Sequence, residues 1–390
     1  MPPTLLDTAR RLATTAIAAV DPERLVREEL ARRDTRFDAI LAVGKASAAM
    51  ARGARDSIAG MSAKGFLPKR LLIRPHSSPA LLDPGWEQKT GGHPLPDRQS
   101  LAAGERLRDW LEGIAPEQPL LALVSGGASA CLELPSPGLD LQGLVEAHGA
   151  LLASGLPIGE VNAARKRLSA LKGGGALRFT KGRVLALLLS DVPGDDPGTI
   201  ASGLFADPAV ARAENVVIGS VRLATAAVAA AARRQGFSAA EGELAGEASR
   251  AARDLVARGR SLEGPAVALV LGGETTVTVW SGDGRGGRNG ELALAAAREL
   301  ASGPPGQEEV VLALATDGED GTTGTAGAAV EGGIGGSTWE TIRRAGIDPD
   351  AALARHDSLP ALEKAPGALL RTGVTGTNVG DLALYLRRMQ

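Results

Sequence analysis

The sequence predicts an α/β protein with two domains. Short apolar runs bounded by turn residues alternate with segments of helical periodicity, which is the pattern of a doubly wound sheet with helices on both faces. The chain has 390 residues, which is more than the roughly 250–300 residues at which single hydrophobic cores stop growing. Ligands of such sheets bind beyond the carboxyl ends of the strands. Functional residues are therefore expected at those ends.

The predicted strands are buried apolar runs, and the predicted helices lie between them. An amphipathic helix opens the chain, because Leu5, Leu12 and Ile17 recur at helical spacing. Strands are predicted at residues 39–43, 71–73, 120–124, 184–189, 216–218, 266–271 and 310–315. Helices are predicted at residues 47–58, 98–111, 139–152, 221–234 and 241–260. Strict alternation of this kind favours a parallel sheet in the first domain.

A change in composition places the domain boundary near residue 264. The polar helix at 241–260 precedes it, and Gly- and Thr-rich loops follow it. Residues 276–280 alternate between polar and apolar side chains, which indicates a half-exposed antiparallel strand and hence a mixed sheet. The predicted division is an N-terminal domain over residues 1–240, a connecting helix and linker over 241–264, and a smaller C-terminal α/β domain over 265–390.

The composition favours a small-molecule ligand. The 43 basic and 45 acidic side chains give a net charge of -2 without a long block of either sign, so neither nucleic acid nor an anionic membrane is an expected partner. The single cysteine, Cys131, excludes an intrachain disulfide and fits a reducing compartment. The opening residues contain no apolar run long enough for a signal sequence or a membrane span, so we expect cytoplasmic residence.

Most predicted strands end directly in glycine or in an acid. Glycine lets backbone N–H groups approach phosphate oxygens, and a following helix adds its positive end. A single glycine pair is more simply explained by a tight turn, but the recurrence of such groups at strand ends favours an anionic ligand. The groups are Gly44-Lys45, Ser125-Gly126-Gly127, Asp191, Gly272-Gly273-Glu274 and Thr316-Asp317-Gly318.

Two cations are candidates to bind that anion. Lys45 follows a strand, where its ammonium either meets a phosphate or carboxylate or is solvated at the surface. Ala39 stands where a P-loop would have glycine, so the P-loop spacing fails.

Residues 282–287 match the dinucleotide fingerprint, so a dehydrogenase is the rival interpretation. An NAD site, however, needs an acid about 20 residues further on, at the end of the next strand. That strand leads to Asp317, well beyond this spacing. We therefore interpret the loop as an anion cradle in which Arg288 either presents its planar fork or is solvated.

Three acids also follow apolar strands, namely Asp191, Asp317 and Glu274. A carboxylate so placed holds Mg²⁺ or orients a hydroxyl for in-line attack, unless it only caps a turn. His93 lies in a loop stiffened by two prolines, where a structural hydrogen bond explains it as well as catalysis does. Ser125 is not in the G-x-S-x-G elbow of hydrolases, which disfavours a serine nucleophile.

Taken in order, these motifs resemble the glycerate 2-kinase family whose C-terminal part is called the MOFRL domain. The resemblance spans nearly the whole chain; each motif alone is weak, and the ordered set is specific. Its landmarks are Val43-Gly44-Lys45-Ala46, Gly92-His93-Pro94, Ser125-Gly126-Gly127, Glu160-Val161-Asn162 with Arg165-Lys166, Lys172-Gly173-Gly174, Asp191-Val192-Pro193-Gly194-Asp195, Gly272-Gly273-Glu274-Thr275-Thr276, Gly287-Arg288-Asn289, Thr316-Asp317-Gly318 and Thr375-Gly376-Thr377-Asn378-Val379.

The resemblance implies an ATP- and Mg²⁺-dependent kinase with a Rossmann-like N-terminal domain and an active-site cleft between its two domains. It implies active-site roles for Lys45 and Arg288, to which the strand-end argument adds Asp191 as a catalytic residue. Asp191 and Asp317 are the predicted Mg²⁺ ligands. The chain departs from the family pattern at four glycines, which bears on substrate preference: Gly175, Gly290, Gly324 and Gly380. The predicted nucleotide or substrate contacts are Gly44, Ser125, Gly126, Gly127, Glu274, Asn289 and Asp317.

The predicted reaction transfers the γ-phosphoryl group of ATP to D-glycerate and gives 2-phosphoglycerate and ADP. The alternative enzyme is an NAD(P)H-dependent hydroxypyruvate reductase, a name that relatives of this family have carried. A non-catalytic binder of small anions is the alternative outside enzymes. Only the resemblance favours the 2-hydroxyl over the 3-hydroxyl, and the sequence leaves both a monomer and a homodimer open.

Overall fold

The protein is described by a computed structural model that covers residues 3–33, 35–153, 158–279, 284–334 and 336–389. It divides into two compact units. The N-terminal unit consists of Asp21–Ser220 and Gly376–Asn378, and the C-terminal unit consists of Met1–Val20, Val221–Thr375 and Val379–Gln390. Each unit has a six-stranded sheet of its own.

The sheet of the N-terminal unit is entirely parallel. Its strands are β1 (Ala39–Val43), β2 (Lys69–Pro75), β3 (Glu87–Gly91), β4 (Leu120–Ser125), β5 (Val184–Leu189) and β6 (Ala213–Gly219). They lie in the order β3-β2-β1-β4-β5-β6, and all residues of β1, β4 and β5 are buried, as expected of strands covered on both faces. The predicted parallel sheet is confirmed. The strand order reverses between β1 and β4, which is the point where such sheets bind ligands.

Two helices of the N-terminal unit begin at a described capping side chain, which is Asp21 in one and Asp97 in the other. Asp97 accepts a hydrogen bond from the Ser100 N–H (2.8 Å), and the Ser100 hydroxyl accepts one from the Asp97 N–H (3.1 Å), so the two residues form a capping box. The predicted helix at 47–58 is divided in two. Short 3-10 helices occupy Gly175–Phe179, Pro193–Asp195 and Ile200–Ser202. The α-helices are α2 (Pro22–Ala31), α3 (Ser47–Gly53), α4 (Arg55–Ala63), α5 (Arg98–Glu112), α6 (Ala128–Cys131), α7 (Leu141–Ala153) and α8 (Ile158–Arg167).

The sheet of the C-terminal unit is mixed, as predicted. Its strands are β7 (Ser238–Leu244), β8 (Ala266–Gly273), β9 (Gln307–Ala315), β10 (Gly327–Gly333), β11 (Leu369–Leu370) and β12 (Asp381–Met389), in the order β11-β10-β9-β12-β8-β7. Only β7 and β8 pair in parallel. The antiparallel pairs do not come from residues 276–280, because Thr276 makes only an isolated bridge with Glu247 and residues 280–283 lie outside the described residues.

The helices of the C-terminal unit include the first helix of the chain. They are α1 (Leu5–Ala19), α9 (Val221–Arg234), α10 (Ala248–Ser261), α11 (Arg288–Ala301), α12 (Thr338–Arg344), α13 (Pro349–Ala354) and α14 (Ser358–Leu362). The predicted helix at 241–260 is wrong in its first part, which belongs to strand β7. The polar residues there form an edge strand because the backbone of β8 pairs with them. Backbone pairing overrides local composition at a sheet edge.

The two units divide the chain at different points from the predicted boundaries of 240 and 265. Helix α9 and strand β7 pack on β8, and α10 packs on α11 and β12, so residues 221–264 belong to the C-terminal unit. Helix α1 packs against α9 and β9 in the same unit. The change in composition near residue 264 therefore lies inside the C-terminal unit. Composition describes a segment by itself, whereas the packing of helices and strands determines which unit the segment belongs to.

Two expectations from composition can be compared with the structure. Among the described residues, no helix is both long and apolar enough to cross a membrane. Cys131 is fully buried at the end of α6, and burial raises the pKa of its thiol to about 12. Because the thiolate is the nucleophilic form of cysteine, Cys131 is chemically inert near neutral pH.

Candidate active site

The turn that carries Lys45 is held by the strands on either side of it. The Gly44 N–H donates to Ile73 O of β2 (3.0 Å), and the Lys45 N–H donates to Gly126 O beyond β4 (2.8 Å). Gly44 has a φ of 109°, and a Cβ there would overlap the carbonyl oxygen of Ser125. Only glycine fits this position. The turn therefore fixes the backbone from which the Lys45 side chain extends.

Ser125 supports this turn through its side chain. It is fully buried, and its Oγ accepts a hydrogen bond from the Ala46 N–H (3.0 Å) and lies 3.3 Å from Val43 O, to which it donates. Both partners belong to the end of β1 and the turn after it. The hydroxyl thus positions the Lys45 turn, and the predicted ligand contact of Ser125 stays a prediction.

Asp191 lies directly against the backbone of Gly126. A Cβ at Gly126 would overlap Asp191 Oδ2, and the Asn378 side-chain amide donates to the same oxygen (3.0 Å). Asp191 follows β5, and Asn378 comes from the short segment Gly376–Asn378 that belongs to this unit. Since both neighbours hold the carboxylate, its position is well defined.

Gly127 brings Lys45 and His93 to the same place. A Cβ at Gly127, whose φ is 81°, would lie 3.0 Å from Lys45 Cγ and 3.4 Å from His93 Cδ2. The pair Gly126-Gly127 therefore has Asp191 on one residue and Lys45 with His93 on the other. The structure thus brings together the predicted residues of this unit at the carboxyl edge of β1, β4 and β5, where the strand order reverses.

A cavity of about 280 Å³ opens beside these glycines. Of the lining side chains that the structure describes, three are basic and one, Asp191, is acidic. Its polar and charged lining residues are Ser129, Arg165, Lys166, Lys172, Asp191, Thr199 and Ser202. The excess of positive charge suits a small anion.

Arg288, in the C-terminal unit, is bound by two carboxylates. It begins α11, and its Nε and Nη2 both donate to the Asp381 carboxylate at the start of β12, the latter over 3.0 Å. Its Nη1 lies 3.0 Å from Glu274 Oε1. Asp381 is buried, whereas about half of the Glu274 side chain is exposed. Glu274, a predicted ligand contact, is therefore an ion-pair partner of Arg288 in this structure.

The loop before α11 is held by Asp320. This buried carboxylate accepts hydrogen bonds from the Asn289 N–H (3.0 Å) and the Gly290 N–H (2.7 Å). Asn289 is fully buried, and its Oδ1 has no hydrogen-bond partner among the described residues. Asp317 follows β9, where its Oδ1 accepts the Glu319 N–H (3.0 Å) in a turn. The predicted ligand contacts of Asn289 and Asp317 stay predictions.

The charge states of Asp381 and Arg288 are coupled. Burial raises the pKa of Asp381 to about 6, although the hydrogen bonds from Arg288 act in the opposite direction. Burial also acts to lower the pKa of Arg288, but the hydrogen bond to Asp381 together with the charges of Asp381, Glu274 and Asp320 outweighs it and raises that pKa. Arg288 is thus a cation throughout the working pH range, and Asp381 is the group of the pair that titrates.

We expect the contribution of Asp381 to the free energy of unfolding to be greatest in acid and to be lost as the pH rises through about 6. A carboxyl whose pKa is raised above its usual 3.8 by folding binds its proton more tightly in the folded chain, so rising pH favours unfolding. Urea unfolding should show that the stability of the wild type relative to Asp381→Asn falls by up to about 3 kcal/mol between about pH 4 and about pH 7. Asp254→Asn, at an exposed site on α10, is the control. A difference that does not change with pH would contradict the assignment.

Sequence reasoning left His93 open between a structural and a catalytic role, and it missed Asn378 and the three cations of the cavity as site residues. Asn378 was noted only as part of a motif, and nothing in the sequence indicates that it meets Asp191. His93 stands in a Gly-Gly-His-Pro loop, which is the one signal that points to it. The three cations of the cavity lie in or after a helix, where basic side chains are usually solvated. Their position beside the cavity is visible only in three dimensions.

The chain matches two family models. The model described as "Domain of unknown function (DUF4147)" matches residues 8–234, and the one described as "MOFRL family" matches residues 267–381. Together they cover most of both units.

Similar proteins extend over the whole chain. It is 36% identical to a D-glycerate 2-kinase of Thermotoga maritima, with 99% of each chain covered. It is 37% identical to a protein of Agrobacterium vitis that bears the provisional name hydroxypyruvate reductase, with 97% of this chain and 93% of that one covered. A crystal structure of a glycerate kinase from Thermotoga maritima matches with a TM-score of 0.85 and 33% identity, covering 98% of this chain and 99% of that chain. The chain therefore belongs to the glycerate kinase family, with a C-terminal region of the MOFRL type.

Proposed function

We propose that the protein is a glycerate 2-kinase, which transfers the γ-phosphoryl group of ATP to D-glycerate and releases 2-phosphoglycerate and ADP. The observation that supports this most directly is the meeting of Lys45, Gly126, Gly127 and Asp191 beside a basic cavity. A family member 36% identical over its whole length is named a D-glycerate 2-kinase. The 2-hydroxyl is proposed on that likeness.

Phosphoryl transfer needs positioning and charge stabilisation more than covalent chemistry from the protein. Lys45 supplies a compact positive charge on a turn held by β2 and β4, so its ammonium meets the transferred group without reorganisation. Gly126 and Gly127 have no side chains of their own and border the cavity, which permits close approach of phosphate oxygens to their backbone. We propose that these three residues bind the phosphates of ATP.

Asp191 is proposed to orient the attacking hydroxyl of glycerate or to accept its proton. The Asn378 amide and the backbone of Gly126 hold the carboxylate in place. A general base must lie within hydrogen-bond reach of the proton that it accepts, and Asp191 lines the cavity in which a small hydroxy acid fits. Positioning of this kind contributes a large share of the rate of such reactions.

The donor set around Asp191 fits Mg²⁺ held mainly by the nucleotide. Among the described residues, no group of three or more His, Cys, Asp or Glu side chains is arranged to hold a metal ion. Mg²⁺ usually takes one or two carboxylates, keeps several waters and binds the phosphates of the substrate. We propose Asp191 as one ligand, and the metal-binding role of Asp317, which belongs to the C-terminal unit, stays a prediction. When bound, the ion neutralises charge on the phosphoryl oxygens.

Arg288 is proposed to bind a substrate carboxylate or phosphate. Its Nη1 is paired with Glu274, whose side chain is half exposed, whereas the rest of its fork is committed to buried Asp381. A ligand anion would therefore replace Glu274, and Asp381 would keep the guanidinium in position. Cytoplasmic residence and a monomeric or homodimeric state stay predictions.

The proposed function predicts ATP-dependent phosphorylation of D-glycerate by the purified protein with Mg²⁺. Phosphorus NMR of the product should show 2-phosphoglycerate, and ADP should form in equal amount. Oxidation of NADH by hydroxypyruvate without ADP formation would instead establish the reductase. Thermal stabilisation by ATP or glycerate without any phosphoryl transfer would identify a non-catalytic binder.

A further inference from the structure

The cavity of the N-terminal unit has a cationic side that is distinct from Lys45. Arg165, Lys166 and Lys172 border it, and Asp191 is the one acid among the lining residues in the described part of the chain. The lining thus carries an excess of two positive charges. An anion that enters the cavity meets this cationic side and the Asp191 carboxylate together.

Arg165 has no counter-charge among the described residues, whereas Lys166 interacts electrostatically with Asp196 without forming a salt bridge. Arg165 and Lys166 lie in the last turn of α8, and neither side chain forms a hydrogen bond or an ion pair with any residue that the structure describes. The Nε of Arg165 is buried and has no partner in the same part of the chain. Buried donors are usually satisfied by a protein group, by water or by a ligand. A ligand carboxylate would satisfy the planar fork of Arg165.

Lys172 is different, because a buried carboxylate already balances its charge. Its side chain is 4% exposed, and its ammonium donates to Oε2 of Glu133, which is fully buried. The other oxygen of Glu133 accepts the Leu134 N–H (3.0 Å). An ammonium has three N–H donors, and Glu133 is the acceptor among the described residues. Glu133 therefore positions Lys172 at the cavity as a fixed hydrogen-bond donor.

The rest of the lining suits a small hydroxy acid. The hydroxyls of Ser129 and Ser202 lie 2.8 Å apart, and both residues border the cavity with Thr199. None of the described lining residues is aromatic, so this part of the cavity offers no stacking surface of the kind that proteins commonly present to a nucleobase. The described lining therefore offers partners for the hydroxyl and carboxylate groups of a hydroxy acid, but no aromatic partner for a nucleobase.

We propose that this cavity is the acceptor subsite, in which Arg165 and Lys166 bind the carboxylate of the hydroxy acid. Lys172 adds a fixed donor, and the hydroxyls of the acid face Asp191, the one lining residue able to accept their proton. The identity of the acid as D-glycerate rests on the proposed function. The ATP phosphates are assigned to Lys45 and the two glycines, which border the same cavity.

The test compares the KM values for D-glycerate and for ATP in matched variants. Arg165→Gln and Lys166→Gln should each raise the KM for D-glycerate at least about tenfold, because each loses a charged hydrogen-bond donor, and should leave the KM for ATP within about twofold. Arg167→Gln is the control, since Arg167 lies in the same turn of α8, is exposed and does not border the cavity. Calorimetric titration of D-glycerate without ATP should give the same ranking of affinities.

Other outcomes would separate this proposal from the proposed function. A raised KM for ATP with an unchanged KM for D-glycerate would assign the cavity to the nucleotide phosphates and overturn the proposal. Equal effects of Arg165→Gln and Arg167→Gln would also overturn it. Binding of D-glycerate by the wild type without phosphorylation, weakened in the two cavity variants, would support the subsite while the kinase function fails. If Arg165→Gln does not fold, the KM values of Lys166→Gln for D-glycerate and for ATP, compared with those of Arg167→Gln, test the proposal.

Discussion

Replacement of Lys45 by alanine is expected to lower kcat/KM for the phosphorylation of glycerate by roughly 10²–10³-fold. This is about the loss that follows removal of one pre-positioned group that stabilises charge in a transition state. The turn that carries Lys45 is held by backbone hydrogen bonds and by Ser125, none of which uses the Lys45 side chain. The variant should therefore keep its thermal stability while it loses activity, as measured by a coupled ADP assay and a melting curve.

Lys64→Ala is the matched control for this variant. Lys64 is exposed at the end of α4, so its removal deletes an ammonium from the surface alone. Its kcat/KM should stay within about twofold of the wild type, since surface substitutions away from special features usually have small effects. Undiminished turnover in Lys45→Ala would remove Lys45 from the active site.

Replacement of Gly126 by alanine is expected to lower kcat at least about 10²-fold. The added methyl group would overlap Asp191 Oδ2, so the carboxylate must move, and a displacement of about 1 Å at a reacting group costs on the order of 10²-fold in rate. Gly126 is not among the glycines with positive φ, so its backbone accepts alanine and the effect comes from the displaced carboxylate. Steady-state kinetics with saturating ATP would measure it.

Two controls isolate the cause of this loss. Gly60→Ala, in the middle of α4 with no atoms within 4 Å of the added methyl, should keep full activity and gain up to about 1 kcal/mol in stability. An Asp191→Ala background removes the carboxylate, which is the nearest neighbour of the added methyl group, and leaves the Asn378 amide as its remaining close neighbour. There Gly126→Ala should cost less unfolding free energy than it does in the wild type. Equal costs in both backgrounds would show that the methyl group acts elsewhere.

Much of the N-terminal unit could be predicted from local sequence. The central strands β1, β4 and β5 are buried on both faces, and continuous apolar runs mark such strands clearly. Strands β3 and β7 were not predicted, because polar edge strands depend on the backbone of a neighbour and not on apolar side chains. Helix α1 could be predicted as a helix, but its place in the C-terminal unit is decided by distant partners.

The same distinction applies to the candidate site. Lys45, Gly126 and Asp191 follow neighbouring parallel strands, and the ends of such strands meet at one edge of a sheet, so their proximity could be predicted. Asn378 could not be predicted as a partner of Asp191, because the two are 187 positions apart and no periodicity links them. Glu274 and Asp381 could not be recognised as partners of Arg288, since their contact depends on the pairing of β8 with β12.

The central position of β12 has a consequence for biosynthesis. This strand lies between β8 and β9, yet the ribosome makes it after every other strand of its sheet. The nascent chain therefore contains β7 to β11 before the strand that joins them, and α1 is made well before β9, against which it packs. Residues 376–378 come just before β12 and bring Asn378 to Asp191. Assembly of the C-terminal sheet and completion of the site in the N-terminal unit are thus nearly simultaneous and late events of co-translational folding.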